Sequence, residues 1–494
     1  MNKIGFNNDK YLKLQSENIA KRIKQFSGKL YLEFGGKLFD DYHASRVLPG
    51  FMPNSKMQML LKIKDKIEII IAINSDAIEK AKVRDDLGIT YDQDVLRLID
   101  SFRSFDLYVG SVCLTQFNNQ PLAKLFEKKL QKQGIKTYHH YPINNYPNDV
   151  ENIVSDSGLG KNDYIQTSRP LVVVTAPGPG SGKMATCISQ LYHDNKHGIK
   201  SGYAKFETFP IWNLPLKHPL NLAYEAATID LDDVNMIDPF YLEAYNKIAV
   251  NYNRDVEIFP VLDKMFIKIY GHSIYKSPTD MGVNMIGECI SDDEVCKEAS
   301  KQEIIRRYYK VLYQYKKSEI PETLVNKMEL LMSSNNILTS DRKCVLPCLD
   351  KANKTHSPAA AIELNDGSII TGKTSSLLGA TSAMIINALK HLAGIDDKID
   401  LISENIIQPI SKLKINDLGS KNPRLHVEEV LIALSISAIT NPIAQLALDQ
   451  IPQLKKCQVH SSVILSFADL TTLKKLGINV TTEPVYETNA LFHR

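Results

Sequence analysis

A glycine-rich segment that ends in a lysine carries the clearest chemical signal in the sequence. Apolar residues from Leu171 to Ala176 lead into Pro177-Gly-Pro-Gly-Ser-Gly-Lys183. Glycines let successive backbone N–H groups point into one concavity, the lysine adds a positive charge, and a following helix adds its positive N-terminal end. The segment therefore predicts a phosphate-binding loop, made by Gly178, Gly180, Ser181, Gly182, Lys183 and Met184.

This loop departs from the usual P-loop pattern, Gly-x-x-x-x-Gly-Lys-Ser/Thr, at two positions. Gly182 and Lys183 fit the pattern, but Pro177 replaces its first glycine and Met184 stands where the magnesium-binding hydroxyl belongs. The residues favour phosphate binding over magnesium binding, and the alternative is a tight strand-to-helix turn with a solvated lysine. ATP or another phosphorylated small molecule is the expected ligand, and magnesium remains open.

A second segment, Gly367-Ser-Ile-Ile-Thr-Gly-Lys-Thr374, satisfies the P-loop pattern at every position. However, Asn365-Asp-Gly367 is a hairpin-turn signal, and Ile369 and Ile370 have the pattern of a returning strand. A P-loop requires a strand, a loop and a helix in succession. We therefore expect Lys373 not to bind nucleotide phosphate.

Four residues are catalytic candidates in addition to Lys183. Glu207 and Asp230 end short apolar runs beyond the loop, where P-loop enzymes often place an acid that binds magnesium or water. His43 and Arg46 follow a pair of glycines and could supply acid–base chemistry and charge stabilisation. Acids at strand ends and polar residues on a surface helix are also common without any catalytic role.

No metal-binding set is predicted from the sequence. Cys344 and Cys348 have no second Cys or His pair at zinc-ligand spacing. The seven cysteines are odd in number and scattered, which is unlike a disulfide framework. We expect reduced thiols.

In the first part of the chain, apolar strand-like runs alternate with helical patterns. This alternation predicts an α/β fold with a mostly parallel sheet covered by helices, and it places the glycine loop at the carboxyl end of a strand. The predicted strands are 30–34, 67–73, 107–114, 137–143 and 171–176, and the predicted helices include 9–26, 92–102 and 121–133.

The length of 494 residues predicts a multi-domain chain of roughly three domains. We divide it into an α/β phosphate- or nucleotide-binding domain at 1–233, a helical subdomain at 234–340 and a C-terminal α/β subdomain at 341–494.

Lys and Arg number 59 against 56 Asp and Glu, which is a small excess for a nucleic-acid-binding protein. With no signal-peptide or membrane-spanning run, we expect a cytoplasmic protein that binds neither nucleic acid nor membrane. Homo-oligomerisation is expected on general grounds alone.

Four long runs carry a resemblance that covers nearly the whole chain: Lys29–Gly50, Ala176–Cys187, Lys205–Pro215 and Tyr275–Gly282. In these runs the sequence is similar to the bacterial family called domain of unknown function 1846. The resemblance implies an α/β N-terminal part, a helical middle and a deaminase-like C-terminal subdomain, and it implies no particular activity or catalytic residue.

A shorter resemblance concerns Ala360–Lys373 and the helix predicted after it, which are similar to the first hairpin and helix of the cytidine-deaminase fold. That family begins the helix with a zinc-binding Cys or His and places a glutamate two residues later. Ser382 and Met384 stand at those positions, and no Cys-x-x-Cys follows. The resemblance therefore implies the fold without the deaminase zinc site.

Two functions from different classes fit these observations. One is an enzyme that binds ATP or another phosphorylated small molecule and transfers or activates a group, with Lys183 and Arg46 stabilising charge. The other is a sensor or scaffold that binds a phosphorylated metabolite without turnover. Met184 favours the sensor, whereas Glu207 and Asp230 favour the enzyme.

Overall fold

The computed structural model describes residues 3–36, 38–39, 41–84 and 87–488. The chain divides into two compact units. Of the described residues, the N-terminal unit comprises 4–225 and 232–299, and the C-terminal unit comprises Lys3, 226–231 and 300–488. The three-domain division given above stays a prediction.

A seven-stranded sheet in which every neighbouring pair is parallel forms the centre of the N-terminal unit. The strands are β1 Leu30–Phe34, β2 Ile67–Asn74, β3 Tyr108–Thr115, β4 Lys136–His139, β5 Leu171–Thr175, β6 Gly202–Phe206 and β7 Gly282–Val283. Their order in the sheet is β7-β6-β1-β5-β2-β3-β4. This confirms the predicted α/β class and mostly parallel sheet, although the fourth strand is shorter than predicted.

The centre of this sheet is buried on both faces. Every residue of β1 and β5 is buried, as expected for parallel strands covered by helices on each side. The chain first builds outward through β2, β3 and β4, and then returns to place β5 between β1 and β2 and β6 beyond β1. Open α/β sheets bind ligands in the crevice where the strand order reverses, at the carboxyl ends of the strands. In this sheet that crevice lies at the ends of β5, β1 and β6.

Two helices of the N-terminal unit matter most for the crevice, α1 (Lys183–Lys196) and α2 (Asn253–Tyr270). Both pack on the same face of the sheet, in one buried cluster with Tyr31, Val174 and Tyr203. The other helices with starts in this unit are Asn8–Gln25, Tyr42–Val47, Ser55–Leu61, Ser75–Glu79, Tyr91–Ser104, Pro121–Lys132, Val150–Ile153, Pro219–Ala227, Pro239–Tyr245, Pro278–Met281 and Asp293–Lys316.

Short strands also occur in the stretch for which the sequence pattern indicated helices. Asn235–Ile237 pairs with Val250–Tyr252 in an antiparallel ladder, and Gly282–Val283 joins the edge of the main sheet as β7. A further antiparallel pair, Val83–Arg84 with Ile89–Thr90, precedes the helix Tyr91–Ser104. Two- and three-residue strands are too short to produce a periodic sequence signal.

The C-terminal unit contains a four-stranded sheet. Its strands are β8 Ala359–Glu363, β9 Ile369–Lys373, β10 Gln458–Ser461 and β11 Asn479–Thr482. Their order is β9-β8-β10-β11, with β8 antiparallel to both of its neighbours and β10 parallel to β11. Its helices are Glu322–Ser334, Val345–Thr355, α3 Ala380–Ala393, Glu404–Asn416, α4 Val427–Ala438, α5 Pro442–Leu448 and Phe467–Lys475. The β8–β9 hairpin confirms that the second P-loop-like segment forms a turn and a strand.

All seven cysteines are buried free thiols. None of the helices in the described ranges combines the length and the apolar character that a membrane crossing requires.

Candidate functional site

The glycine-rich loop leaves β5 at the centre of the sheet and ends where α1 begins at Lys183. Gly180 and Gly182 have left-handed backbone conformations, with φ of +74° and +85°, whereas Ser181 between them does not, and Lys183 is helical. Alternation of this kind turns successive N–H groups toward one point and forms an anion-binding concavity.

The carbonyl groups of the loop are tied to the protein. Asn74 at the end of β2 donates to the Gly180 carbonyl at 3.3 Å, and Thr115 at the end of β3 donates to the Ser181 carbonyl at 2.8 Å. The Ser181 hydroxyl donates to the Gly178 carbonyl at 2.9 Å. These bonds hold the loop from the side of the sheet, so that its shape does not depend on a ligand.

The N–H groups of the loop show the opposite pattern. Among the described residues, no protein acceptor takes a hydrogen bond from the amides between Gly180 and Met184, and the first paired amide is that of Thr186, which donates to the Gly182 carbonyl at 2.9 Å. A cluster of unpaired amides at the start of a helix is an arrangement that binds phosphate.

Two of the glycines also have a packing role. A Cβ atom on Gly178 would lie 2.2 Å from the Tyr91 hydroxyl oxygen, and a Cβ atom on Gly182 would lie 2.9 Å from Thr115. Gly180 has open space around the corresponding position. Gly178 is therefore needed for the close approach of Tyr91, whereas Gly180 is needed for its backbone conformation.

Lys183 is partly exposed, and no carboxylate in the described part of the chain forms an ion pair with it. The Met184 side chain packs against the buried cluster beneath α1. The Thr186 hydroxyl donates to the Gly182 carbonyl at 2.9 Å. The loop thus offers a positive charge and amides with no partner in the described part of the chain, whereas Met184 has no hydroxyl and the Thr186 side chain is fully buried.

A buried polar cluster lies at the end of β6. The Lys205 ammonium contacts Glu207 Oε1 at 2.7 Å and also pairs with Asp255, in the first turn of α2. The Tyr252 hydroxyl donates to the Phe209 carbonyl at 2.6 Å, and its oxygen lies 3.2 Å from Glu207 Oε1. Glu207 and Asp255 are each only 8% exposed. Such a cluster holds a carboxyl group in one orientation and can exchange protons.

Burial is the largest influence on the acid–base properties of this cluster. Burial raises the pKa of Glu207, because lost hydration, together with the Asp255 carboxylate, outweighs the attraction of the Lys205 ammonium. Burial lowers the pKa of Lys205, but the carboxylates of Asp255, Glu207 and Glu33 outweigh it and raise that pKa above its usual value. Lys205 therefore remains charged, whereas burial favours the protonated form of Glu207 more than water does.

The loop and the cluster lie on the same face and at the same edge of the sheet. Glu33 of β1 is in register with Val174 of β5 and with Lys205 of β6, so that all three side chains point to the face covered by α1 and α2. The starts of α1 and α2 therefore flank the carboxyl ends of β5, β1 and β6. We call this region the crevice.

Charged groups from both sides of the crevice affect the thiol of Cys187, which lies one turn into α1. Burial raises the pKa of the Cys187 thiol well above its usual value, the Glu33 carboxylate raises it further, and the Lys183 ammonium lowers it. Glu33 accepts a hydrogen bond from the Tyr203 hydroxyl at 2.7 Å, and burial next to Glu33 raises the pKa of Tyr203 well above its usual value. The charges of Lys183 and Glu33 therefore act on the same buried thiol, and Glu33 is in register with Lys205 on the next strand.

Family models cover nearly all of this chain. The model described as domain of unknown function DUF1846, N-terminal, matches residues 4–336, and the one described as domain of unknown function DUF1846, C-terminal, matches residues 340–492. The chain belongs to the DUF1846 family. This confirms the resemblance drawn from the sequence runs.

Relatives within DUF1846 include UPF0371 proteins of bacteria. The chain is 57% identical to the UPF0371 protein of Streptococcus uberis over 494 residues, which is 100% of both chains. It is equally similar, over the same share of both chains, to UPF0371 proteins of Streptococcus pyogenes serotypes M28 and M5. These names describe no reaction or ligand.

Of the other predicted site residues in this DUF1846 chain, His43 borders the Glu207 cluster. Its ring lies 5.2 Å from the ring of Phe209 and 6.0 Å from that of Tyr224. Arg46 lies on the same short helix, Tyr42–Val47, and is partly buried. Residues 37 and 40 of the same polar run lie outside the described residues.

Asp230 differs from the other candidates because it lies in the C-terminal unit. It is exposed, in the short 3-10 helix Ile229–Leu231. The N-terminal unit, which contains the crevice, therefore does not include it. A strand-end acid was expected at Asp230, but its apolar run forms the end of a helix and a turn instead of a strand.

Sequence reasoning missed Lys205, Asp255 and Tyr252. Lys205 did carry a signal, since it interrupts the otherwise apolar run from Tyr203 to Phe206. Asp255 and Tyr252 reach the cluster only through the tertiary fold. No group of three or more His, Cys, Asp or Glu side chains in the described ranges has an arrangement that could hold a metal ion.

Proposed function

We propose that the crevice binds the phosphate group of a phosphorylated small molecule and transfers a proton to or from the bound molecule during group transfer. The observation that carries this proposal is the set of amides between Gly180 and Met184, which, like the Lys183 ammonium beside them, have no partner among the described residues. A phosphate oxygen replaces the water that these donors otherwise bind, and the positive end of α1 adds to the attraction.

In this proposal Glu207 is the acid–base residue. Its carboxylate takes the proton of an attacking hydroxyl or water, or its carboxyl form gives a proton to a leaving oxygen. The Tyr252 hydroxyl orients the Glu207 carboxyl group, and the Lys205 ammonium stabilises its charged form. A carboxyl group whose pKa is raised by burial is suited to both directions of transfer.

The ligand of the loop is ATP or another phosphorylated molecule, and the residues favour one that needs no magnesium ligand from the loop. Met184 has no hydroxyl, and the Thr186 side chain, whose hydroxyl donates to the Gly182 carbonyl, is fully buried. Glu207 and Asp255 are bonded to Lys205. This engagement of the oxygen donors is also the observation that favours the alternative function, a sensor that binds a phosphorylated metabolite without turnover.

For the C-terminal unit we propose the cytidine-deaminase fold without its zinc chemistry. Support comes from the strand order β9-β8-β10-β11 with β8 antiparallel to both neighbours, and from the meeting of the α3 and α4 starts. The Ser382 hydroxyl donates to the Leu425 carbonyl at 2.8 Å, and Met384 is fully buried in the core. A hydroxyl engaged in that way and a thioether in the core provide neither a zinc ligand nor a proton-transferring carboxylate.

Thermal unfolding of the full chain with candidate ligands tests the phosphate site. Inorganic phosphate, a sugar phosphate, AMP and ATP are each added with and without magnesium, since a ligand of the folded state raises the unfolding temperature by mass action. Lys183→Ala should abolish the stabilisation, whereas the matched control Lys373→Ala, at the exposed lysine of the second P-loop-like segment, should leave it intact.

Turnover distinguishes the two functions. Consumption of the stabilising ligand, lost in Glu207→Gln without loss of binding, supports the enzyme. Stabilisation without consumption supports the sensor. A chain that no phosphorylated compound stabilises, or that Lys183→Ala leaves equally stabilised, contradicts both.

A further inference from the structure

A helical hairpin in the C-terminal unit exposes an apolar face. It consists of α4 (Val427–Ala438) and α5 (Pro442–Leu448), and we call it the α4–α5 hairpin. Its inward side packs into the core of the unit through Val430, Leu434 and Ala444. Its outward side carries large apolar residues with exposed fractions of 54% at Ile432, 48% at Ile436, 81% at Ile439 and 53% at Leu446.

The outward residues form a continuous ridge beside a groove. Ile432, Ile436 and Ile439 are spaced four and three residues apart, which aligns them on one face of α4 and at its end. Next to them is a groove of about 460 Å³, lined by Ala438, Ile439, Thr440, Pro442, Gln445 and Leu446. A ridge and a groove side by side on one surface suit a partner that has the same pair.

The hairpin carries no charge over a long stretch. Between Val430 and Leu448 the sequence contains no Asp, Glu, Lys, Arg or His, although 23% of the whole chain is Asp, Glu, Lys or Arg. Residues next to a two-fold axis face their own copies, so that a charge there would be repelled by its counterpart, and a patch without charges has no such cost. An interface with a different protein has no such restriction and commonly uses complementary charges.

We infer that a second copy of this chain docks on the α4–α5 hairpin, in a two-fold dimer in which the Ile432–Ile436 ridge of each copy enters the groove beside Ile439 of the other. The contact buries apolar side chains that water otherwise surrounds. A standard stable interface engages roughly 20–30 residues on each side, and the outward half of one hairpin is smaller than that. The dimer is therefore weak and reversible.

Sedimentation equilibrium of the full chain, over total concentrations from about 1 to 100 μM, tests this inference. The average mass should rise from the 55.6 kDa of one chain toward twice that value. Ile436→Glu and Ile439→Glu, both at exposed positions, should each weaken association by about 100-fold or more, because they place like charges against each other in an apolar contact. The matched control is Leu125→Glu, at a leucine 65% exposed on a helix of the N-terminal unit, and it should associate like the wild type.

Three outcomes would overturn the inference. The first is a wild-type chain that stays at the mass of one copy at the highest concentration. The second is a dimer that persists in both glutamate variants, since the interface would then lie elsewhere. The third is flotation of a monomeric wild-type chain with vesicles of phosphatidylcholine and phosphatidylglycerol, because the apolar face would then serve a lipid surface. Circular dichroism of each variant confirms that the helices are retained.

Discussion

Replacing Lys205 with methionine probes the buried cluster most sharply. Methionine fills a similar volume but removes the ammonium that pairs with Glu207 and Asp255, and the Lys205 side chain is only 15% exposed. Removing one partner of a buried ion pair costs about 3–5 kcal/mol, because the remaining charges are left without compensation. Glu207 can escape part of this penalty by taking up a proton, at about 1.4 kcal/mol per unit of pKa shift. We therefore expect a loss of about 3 kcal/mol at pH 8 and a smaller loss at pH 5.5.

The sign of the pH effect follows from Glu207. Its pKa in the folded protein is already above the usual 4.5, and losing the Lys205 ammonium raises it further. The folded state of the variant then binds more protons than the unfolded state, so that its stability falls as pH rises from about 4.5 through the folded-state pKa. In the wild type, the Lys205 ammonium limits this fall.

Urea unfolding followed by tryptophan fluorescence is the assay for Lys205→Met. The chain has a single tryptophan, Trp212, which lies in the N-terminal unit and donates to the Asn284 carbonyl at 3.0 Å. The signal therefore reports on the unit that contains the cluster. The triple variant Lys205→Met, Glu207→Gln, Asp255→Asn should recover most of the lost stability at pH 8. A Lys205→Met cost below about 0.5 kcal/mol, or one that is the same at pH 5.5 and pH 8, would refute this account of the cluster.

Two further predictions concern loop packing and the C-terminal unit. Gly178→Ala should lower the free energy of unfolding by about 1–3 kcal/mol in the same fluorescence assay, because its Cβ would overlap the Tyr91 hydroxyl. In the double variant with Tyr91→Ala, the loss should be smaller than the sum of the two single losses. Full additivity would contradict the contact. His426 Nδ1 lies 2.9 Å from Asp469 Oδ2, and this hydrogen bond raises the pKa of His426. Burial alone would raise the pKa of Asp469, but the interactions with His426 and with the Val427 amide outweigh burial and lower that pKa. The pair should therefore contribute about 1 kcal/mol between roughly pH 4 and pH 6.5, and this contribution should fade as pH rises through the folded-state pKa of His426. Hydrogen exchange of the α4 amides measures it, and an Asp469→Asn variant with an unchanged pH profile would show that the pair is unimportant.

Local sequence patterns predicted much of the fold of the N-terminal unit. The apolar runs that became β1, β2 and β5 are continuous because both faces of these strands are buried. The hairpin turn at Asn365–Gly367 was readable for a similar reason, since its turn signal depends on neighbouring residues only. Short edge strands such as Gly282–Val283 were not predictable, because their pairing comes from the sheet and not from their own pattern.

Only the glycine-loop side of the candidate site was predictable from the sequence. The glycine loop is continuous in sequence, so its residue types alone indicate its backbone geometry. The Lys205–Asp255 pair joins β6 to the start of α2 across 50 residues, and no local pattern encodes such a contact. The hydrogen bond from the Thr186 hydroxyl to the Gly182 carbonyl likewise depends on where α1 begins.

A crystal structure of the full chain grown with a millimolar phosphate monoester such as AMP tests the central claim most directly. The proposal predicts density for the phosphate within about 3 Å of the amides between Gly180 and Met184, with the Lys183 ammonium turned toward it. An empty loop at saturating ligand, or a phosphate bound elsewhere while these amides remain hydrated, would contradict it.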